Sequence, residues 1–517
     1  MSAKETKVYD YNTEKVRERL VDAFRGRRNE ATAADLIALT GLPASQVQAE
    51  LPAVSDEYGA RLRVTESGEI LYSFPDGMKS RYRGFGASLK RFFKGAKKVA
   101  AKIGTAVFKG WIVVMLVGYF LLFVALALFA LVASVAISQG GGSSDSRSSN
   151  RRGGGLGGLW LTGRLFDSII RIWFYSELFK SPEDRAFSRY GRGGGGGKDQ
   201  RRPLHKAIFS HVFGDGDPDA AWAEAEKKAV VAFIQSNRGL ISMPEFMSIT
   251  GQKPAEAEIA INRYMLDFGG SPEVTEDGVL YFNFPELMKR RDSTDRTFGF
   301  SVLLKRIAGF SSNSKKADNT FRLINLANIL FGGYFLYGAL SVGQAWYFQT
   351  PKGAVLRGGI DFFYSITAYL FGGIMNLGDP VPLIAWGLGV VPLVFSALFY
   401  IVPFVRGRRL AARNEHAKEE NLRRIVYRAI WDKPRGFRPE SVPAAGPEST
   451  PKDPARETAH IVDEIAAWSG GDPSTDGTWT FDDIGRTRLG VQAVRSKVDP
   501  SRYELGNAIF DSHAPTT

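Results

Sequence analysis

The sequence predicts a mixed architecture: an α-helical integral membrane protein that carries two winged-helix-like α+β domains, built by duplication of one unit. Three observations predict it. Trp111 to Ser138 is uncharged and dominated by Val, Leu, Phe and Ala, longer than the roughly 20 apolar residues needed to cross a hydrocarbon core. Lysine and arginine crowd the flanks of the apolar segments, as on the cytoplasmic side of a bilayer. The chain also matches itself without gaps at an offset of 210 residues, Thr40-Gly41 recurring as Thr250-Gly251.

Residues 1–83 read as the first winged-helix-like domain. Met1 to Leu20 is polar and charged, unlike a signal peptide, so insertion is expected to use the internal apolar segments. A helix precedes Arg28, and a second starts at Thr32 with Asp35 three residues on, a capping box. Gly41 ends it, and a third helix follows from Pro43. Two short strands around Glu66-Ser67-Gly68 close the domain as a hairpin.

Residues 84–110 read as a basic amphipathic juxtamembrane helix. Lys90, Arg91, Phe92, Phe93, Lys94, Lys97 and Lys98 combine an apolar stripe with cations, which suits anionic lipid headgroups. The transmembrane segment 111–138 follows. A Gly-rich linker, 139–202, contains a segment 159–179 whose charges fit a helix lying in the interface. The run Gly193 to Gly197 before Lys198 lacks the first glycine, the Ser/Thr and the preceding strand of a phosphate loop.

The second winged-helix-like domain, 203–291, repeats the first. Val64-Thr65-Glu66-Ser67-Gly68 becomes Val274-Thr275-Glu276-Asp277-Gly278, and Phe74-Pro75 becomes Phe284-Pro285. The match continues past an insertion, Gly118-Tyr119-Phe120-Leu121 recurring as Gly333-Tyr334-Phe335-Leu336. The duplicated unit is therefore domain, basic segment and span together. A basic segment 292–322, a span 323–342, a re-entrant or short span 362–377 and a span 383–404 follow. Residues 405–517 read as basic and then largely disordered, from their Pro, Glu, Ser and Asp content, with a short amphipathic helix at Ala459–Trp468. The flanks place both soluble copies on the cytoplasmic face of a multi-pass protein, expected in a bacterial inner membrane. This needs an even number of crossings between the copies.

Chemistry is sparse. The 517 residues include no cysteine and five histidines, which excludes thiolate metal sites and cysteine nucleophiles. No catalytic residue and no cofactor emerge. Asp215, Asp217, Asp219 and Glu226 occupy calcium-loop positions, but Ala220 stands where the loop needs glycine. The competing reading makes Asp217 the cap of a helix started by Pro218. The third helices offer Gln46, Gln48, Glu50, Asp56 and Glu57, or Glu256, Glu258, Arg263 and Asp267, an acidic balance that would repel a duplex. No nucleic-acid partner is expected.

The run Phe209–Pro218 (FSHVFGDGDP), the strand LYFNFP and the run Ile401–Arg409 (IVPFVRGRR), with Arg413-Asn414 beyond, resemble a largely uncharacterised family of bacterial and plastid multi-pass membrane proteins. The resemblance covers residues 20 to 425. Some plant members carry an iron–sulfur cluster biosynthesis label, which the absence of cysteine does not support for this chain. The expected function is a nonenzymatic scaffold or regulatory protein at the membrane, binding an unknown cytoplasmic protein and compatible with a homo-oligomer. The alternatives are a membrane-tethered transcription regulator and a transport or channel component.

Overall fold

The computed structural model describes residues 11–25, 30–75, 77–78, 81, 103–139, 203–291, 303–342, 361–443 and 450–513. Its described residues are mostly helical, with three small sheets and three helices long and apolar enough to cross a membrane. The chain divides into two compact units. One comprises Met1–Lys94, Asp217–Ala308 and Ala411–Thr517, the other Gly95–Gly216 and Gly309–Leu410.

In the first unit, helix Thr13–Arg25 buries Val16, Leu20, Val21 and Phe24, spaced to share one face. Helix Ala33–Thr40 starts on a capping box. The Asp35 N–H donates to Thr32 Oγ1 at 3.2 Å, and the Thr32 N–H donates to Asp35 Oδ2 at 3.0 Å. It stops where Gly41 turns left-handed (φ 66°) and donates to the Ile37 carbonyl. Helix Ala44–Tyr58 leads into β1 (Arg61–Thr65) and β2 (Ile70–Ser73), an antiparallel pair with Arg61 opposite Ser73. Ala31, ahead of the second helix, bridges to Tyr72 of β2.

The second copy repeats this order with helix Trp222–Ser236, β3 (Leu240–Ile241), helices Met243–Thr250 and Pro254–Phe268, then β4 (Ser271–Val274) and β5 (Leu280–Asn283). Its capping box uses Ser242 and Glu245. The sheet runs β3-β5-β4, so the strand before the second helix pairs with the last strand of the hairpin. Pro254 is the first residue of its third helix, whereas Pro43 is the cap of the corresponding helix in the first copy.

The same order appears a third time, in the segment expected to be largely disordered. That expectation is corrected. The long helix Val391–Asp432 ends against β6 (Arg435–Phe437). A 3-10 turn Pro439–Ser441 and helix Pro454–Ser469 follow, then β7 (Asp472–Pro473) and β8 (Trp479–Thr480). The sheet order is β6-β8-β7, equivalent to β3-β5-β4. Phe437, Ile461, Val462, Ile465, Phe481 and Ile484 join the same core as the first two copies. A polar average had hidden these apolar residues, which are few but spaced for one face. The amphipathic helix expected at Ala459–Trp468 lies within Pro454–Ser469.

A shared packing device links the second and third copies. A Cβ on Gly270 would lie 2.4 Å from Phe284 Cε1, and one on Gly471 would lie 2.6 Å from Phe481 Cε1. In each copy the glycine after the helix cap lets the phenylalanine that follows the hairpin fold flat over the backbone. The first copy has Ala60 at this place.

The chain end then returns to the earlier copies. Helix Asp482–Lys497 packs Val491 with Val279, Tyr281 and Leu240. Its Arg495 donates to both carboxylate oxygens of the capping residue Glu245, at 2.8 and 2.7 Å. Finally β9 (Ala508–Asp511) pairs antiparallel with β1, giving the order β2-β1-β9. Arg61 forks onto Asp511, its Nε at 2.9 Å from Oδ1, and this guanidinium, with the His513 N–H, holds the Asp511 carboxyl down at about 2. The folded value lies below the ordinary one near 4, so the pairing contributes stability above about pH 4 and loses it as pH falls toward 2. Hydrogen-exchange protection of residues 508–511, corrected for intrinsic rates, should fall across that window. In Asp511→Asn the protection should be low and flat. A pH step that persists in that variant would assign it to another carboxylate.

The second unit carries the apolar helices. The candidate spans run Ile103–Val135, Lys315–Ser341 and from Pro380, with a shorter apolar helix Phe362–Ile374. The helix that carries the third span does not stop near Phe404 as expected but continues to Asp432, because the charged stretch beyond it contains no proline and many good helix formers. Two helices contain a π-helical turn with a carbonyl taken by a neighbour. Asn328 Nδ2 donates to Leu116 O at 2.9 Å within Val114–Gly118, and the Tyr119 hydroxyl donates to Gly387 O at 2.9 Å within Ile384–Val390. Glycines set the closest approaches: a Cβ on Gly338 would sit 2.5 Å from Tyr364 Cδ2, and one on Gly389 would sit 3.0 Å from Leu336 Cβ.

Candidate interaction surface and buried polar sites

The third helix of the second copy presents two faces. Ala257, Ile261, Tyr264 and Phe268 point into the core. On the other face Ile259 and Leu266 are 75% and 85% exposed, two turns apart, with Asn262 and Arg263 exposed between them. In the hairpin that follows, Val274 faces Leu280, and both are exposed. Apolar side chains at this i, i+7 spacing are the pattern by which a helix lays one face into a partner's groove.

The acidic faces expected on the third helices need revision. Glu50 is buried, accepting from the Tyr11 hydroxyl at 3.1 Å and from Arg17 Nε at 2.5 Å. Asp267 pairs with Lys227 at 2.8 Å. Both neutralise cations of their own copy, so the exposed faces are less acidic than the sequence suggested. Asp56, Glu256 and Glu258 remain on the surface.

The family-like runs hold backbone in place. In the second unit, Arg406 donates to the carbonyls of His211 (2.8 Å), Val212 (3.2 Å) and Phe310 (2.6 Å), and its guanidinium lies 4.1 Å over the Phe310 ring. His211 is buried, stacked on Phe399, with Nδ1 3.1 Å from Asp318 Oδ1. Burial lowers its pKa, against the opposing pull of Asp318.

In the first unit, Asn414 and Asn421 pin the extended segment 303–308. Asn421 accepts from the Lys305 N–H and donates to its carbonyl, both at 2.8 Å. Asn414 does the same for Ala308, at 3.2 and 2.8 Å. Seven helical residues rise about 10 Å, and three extended residues span about the same distance, so two amides imitate a strand ladder.

Arg424 is the most enclosed cation among the described residues. It is fully buried, with Nε 3.1 Å from Ile249 O and Nη2 2.5 Å from Thr250 O. It lies 5.0 Å over Trp222 and 3.3 Å from Glu226. Burial raises the Glu226 pKa, while Arg424 and the Trp222 indole N–H oppose the shift. Beside them is a polar cavity of about 400 Å³ reached by His416, Arg423, His460 and Glu464.

The remaining sequence-derived sites are placed as follows. Lys90, Arg91, Phe92, Phe93, Lys94, Lys97 and Lys98 lie outside the described residues, as does the segment 159–179. In the second unit, Asp215 accepts from the Ser210 hydroxyl at 2.7 Å and the Ser312 N–H at 2.8 Å. In the first unit, Asp217 takes the Asp219 N–H at 2.9 Å and pairs with Arg413, while Glu226 serves Arg424. Among the described residues no three His, Cys, Asp or Glu side chains are grouped to hold a metal ion. The helix starts at Trp222 with Ala221 as its cap, later than the reading in which Asp217 caps it and Pro218 starts it.

No family model matches the chain, and no solved structure matches it. It is similar to an uncharacterized chloroplastic protein of Arabidopsis thaliana, 24% identical over 300 residues, covering 54% of this chain and 50% of that protein. The chain thus spans about half the length of this relative, and the likeness is to a plant protein of plastid type.

Proposed function

We propose that this chain is a nonenzymatic, membrane-anchored scaffold or regulatory protein. Its apolar helices span a bilayer, and its winged-helix-like copies hold a protein partner on the basic-flanked side. The supporting observation is the exposed Ile259–Leu266 row on the third helix of the second copy, the helix that most often meets a ligand in winged-helix proteins. A row of isoleucine and leucine, with one nearby arginine, fits a partner's apolar groove better than a phosphate backbone.

Ile259→Ser with Leu266→Ser should leave stability within about 0.5 kcal/mol of wild type, as exposed changes do. The same variant should lose at least one protein that crosslinks to the wild-type chain in intact membranes. An unchanged crosslinked set would overturn this surface. Resistance of the chain to carbonate extraction checks the anchoring separately.

A transport role is the second reading, favoured by buried Asn325 and Asn328 on one face of the second apolar helix, each with an amide oxygen that accepts no hydrogen bond. Polar groups inside a span are costly and often functional. Ion flux in proteoliposomes that is abolished by Asn325→Leu would promote it.

A further inference from the structure

At the start of the first apolar helix lies an open groove of about 830 Å³. Lys109, His205 and Lys206 line it with Thr105, and Val113 and Leu204 form apolar wall; none of the described residues that line it is an acid. Three features coincide there. The first is charge: among the described residues the groove offers cations and no carboxylate. The second is position. Ile103, Val107, Trp111 and Val114 are exposed along one face of the same helix, a strip that a hydrocarbon chain would cover. The third is an aromatic platform. Phe108 stacks on Trp111 (centroids 6.1 Å apart) and meets Phe213, Phe209 meets Phe213 at 5.0 Å, and Lys109 Nζ sits 4.4 Å over the Phe209 ring. Aromatic rings and lysines in this arrangement belong at the level of lipid headgroups. Helix Leu204–Phe213 also begins at this groove, with Pro203 as its cap and no side chain closing the turn, so its positive end adds to the field.

From this we infer that the groove binds the phosphate-bearing headgroup of an anionic phospholipid, whose acyl chain lies along Val107, Trp111 and Val114. The inference rests on the bilayer reading above. Lys109 and Lys206 take the phosphate as point charges, and the apolar wall excludes a fully hydrated ion. Selectivity over a zwitterionic lipid comes from the net positive charge that Lys109 and Lys206 give the lining.

Native mass spectrometry of the full chain in detergent, titrated with phosphatidylglycerol or phosphatidylcholine, tests it. Phosphatidylglycerol should half-saturate at about tenfold lower concentration, since each lysine near an anionic headgroup contributes several-fold. Lys109→Gln with Lys206→Gln should abolish the preference, and Lys206→Glu alone should reverse much of it. Lys315→Gln with Lys316→Gln, the same loss of charge on another exposed flank, should preserve it. Equal binding of the two lipids, or equal loss in the control pair, overturns the site. Full competition by inorganic phosphate would make it a simple anion site and overturn the lipid assignment. A chain released by carbonate would instead refute the bilayer reading. A chain that stays in membranes without lipid preference refutes only the groove.

Discussion

Arg424→Met is expected to destabilise the first unit by about 3 kcal/mol, near the lower end of the cost of breaking a buried ion pair. Two losses combine. The carbonyls of Ile249 and Thr250 lose the guanidinium donors that close the end of the second helix of the second copy, and each such unmet group costs on the order of 1 kcal/mol or more. Glu226, already raised in pKa by burial, then loses its main counter-charge. The value stays near the lower end because Glu420 keeps Lys305 as a partner and Glu226 keeps the Trp222 indole at 3.0 Å. Glu226→Gln in the same chain should recover part of the loss, since a neutral amide needs no cation. Arg428→Ala, which removes a helix-surface pair with Asp432, should cost less than 0.5 kcal/mol by the usual value of such pairs, about 0.3–0.5 kcal/mol. Native-state proteolysis of the full chain in detergent measures the opening free energy of each variant. A cost below about 1 kcal/mol for Arg424→Met, within the range of solvent-exposed pairs, would show that the guanidinium is hydrated and not enclosed.

The sequence makes some of this architecture legible and conceals the rest for identifiable reasons. The first two copies announce themselves because duplication kept Thr-Gly at the end of the second helix and Phe-Pro after the hairpin in register. Both capping boxes, Thr32 with Asp35 and Ser242 with Glu245, are local hydrogen-bond patterns, and they form as the spacing predicts. The apolar helices are legible from composition alone. Buried charge is not. Glu50 looks like a surface acid on its helix, but Tyr11 and Arg17 come from elsewhere in the copy to meet it. Arg424 follows a run with eight charged or polar residues between Ala412 and Leu422, and nothing local marks it as the one turned inward. Asn414 and Asn421 become readable as a pair only once segment 303–308 is seen running alongside. The exposed Ile259 and Leu266 carry a signal that could have been found: they break the period set by Ala257, Ile261, Tyr264 and Phe268.

Phe481→Ala is expected to cost about 3 kcal/mol, toward the lower end of values for removing a buried phenylalanine, and it tests the third copy directly. This copy escaped detection because its hairpin is shorter. Gly270 to Phe284 spans 14 positions, and Gly471 to Phe481 spans 10, so a constant offset finds no match. The physical constraint is nevertheless the same: a glycine beneath a phenylalanine ring. Phe481 is fully buried, stacked near Trp479 and edge-on to Phe437. Its ring lies where a Gly471 Cβ would be, and Ala466 Cβ is 2.8 Å from that point. Gly471→Ala should therefore also destabilise, by about 1–3 kcal/mol, the range for overpacking. The two changes should not add. With the ring removed, the clash with Phe481 disappears and the contact with Ala466 remains, so the double variant should be more stable than the sum of the single effects by at least about 1 kcal/mol, a coupling expected only of residues in contact. Arg486→Ala, on the exposed side of helix Asp482–Lys497, should change nothing measurable. If Phe481→Ala leaves the protease resistance of residues 454–497 unchanged, or if the two changes simply add, the C-terminal segment does not pack as a third copy.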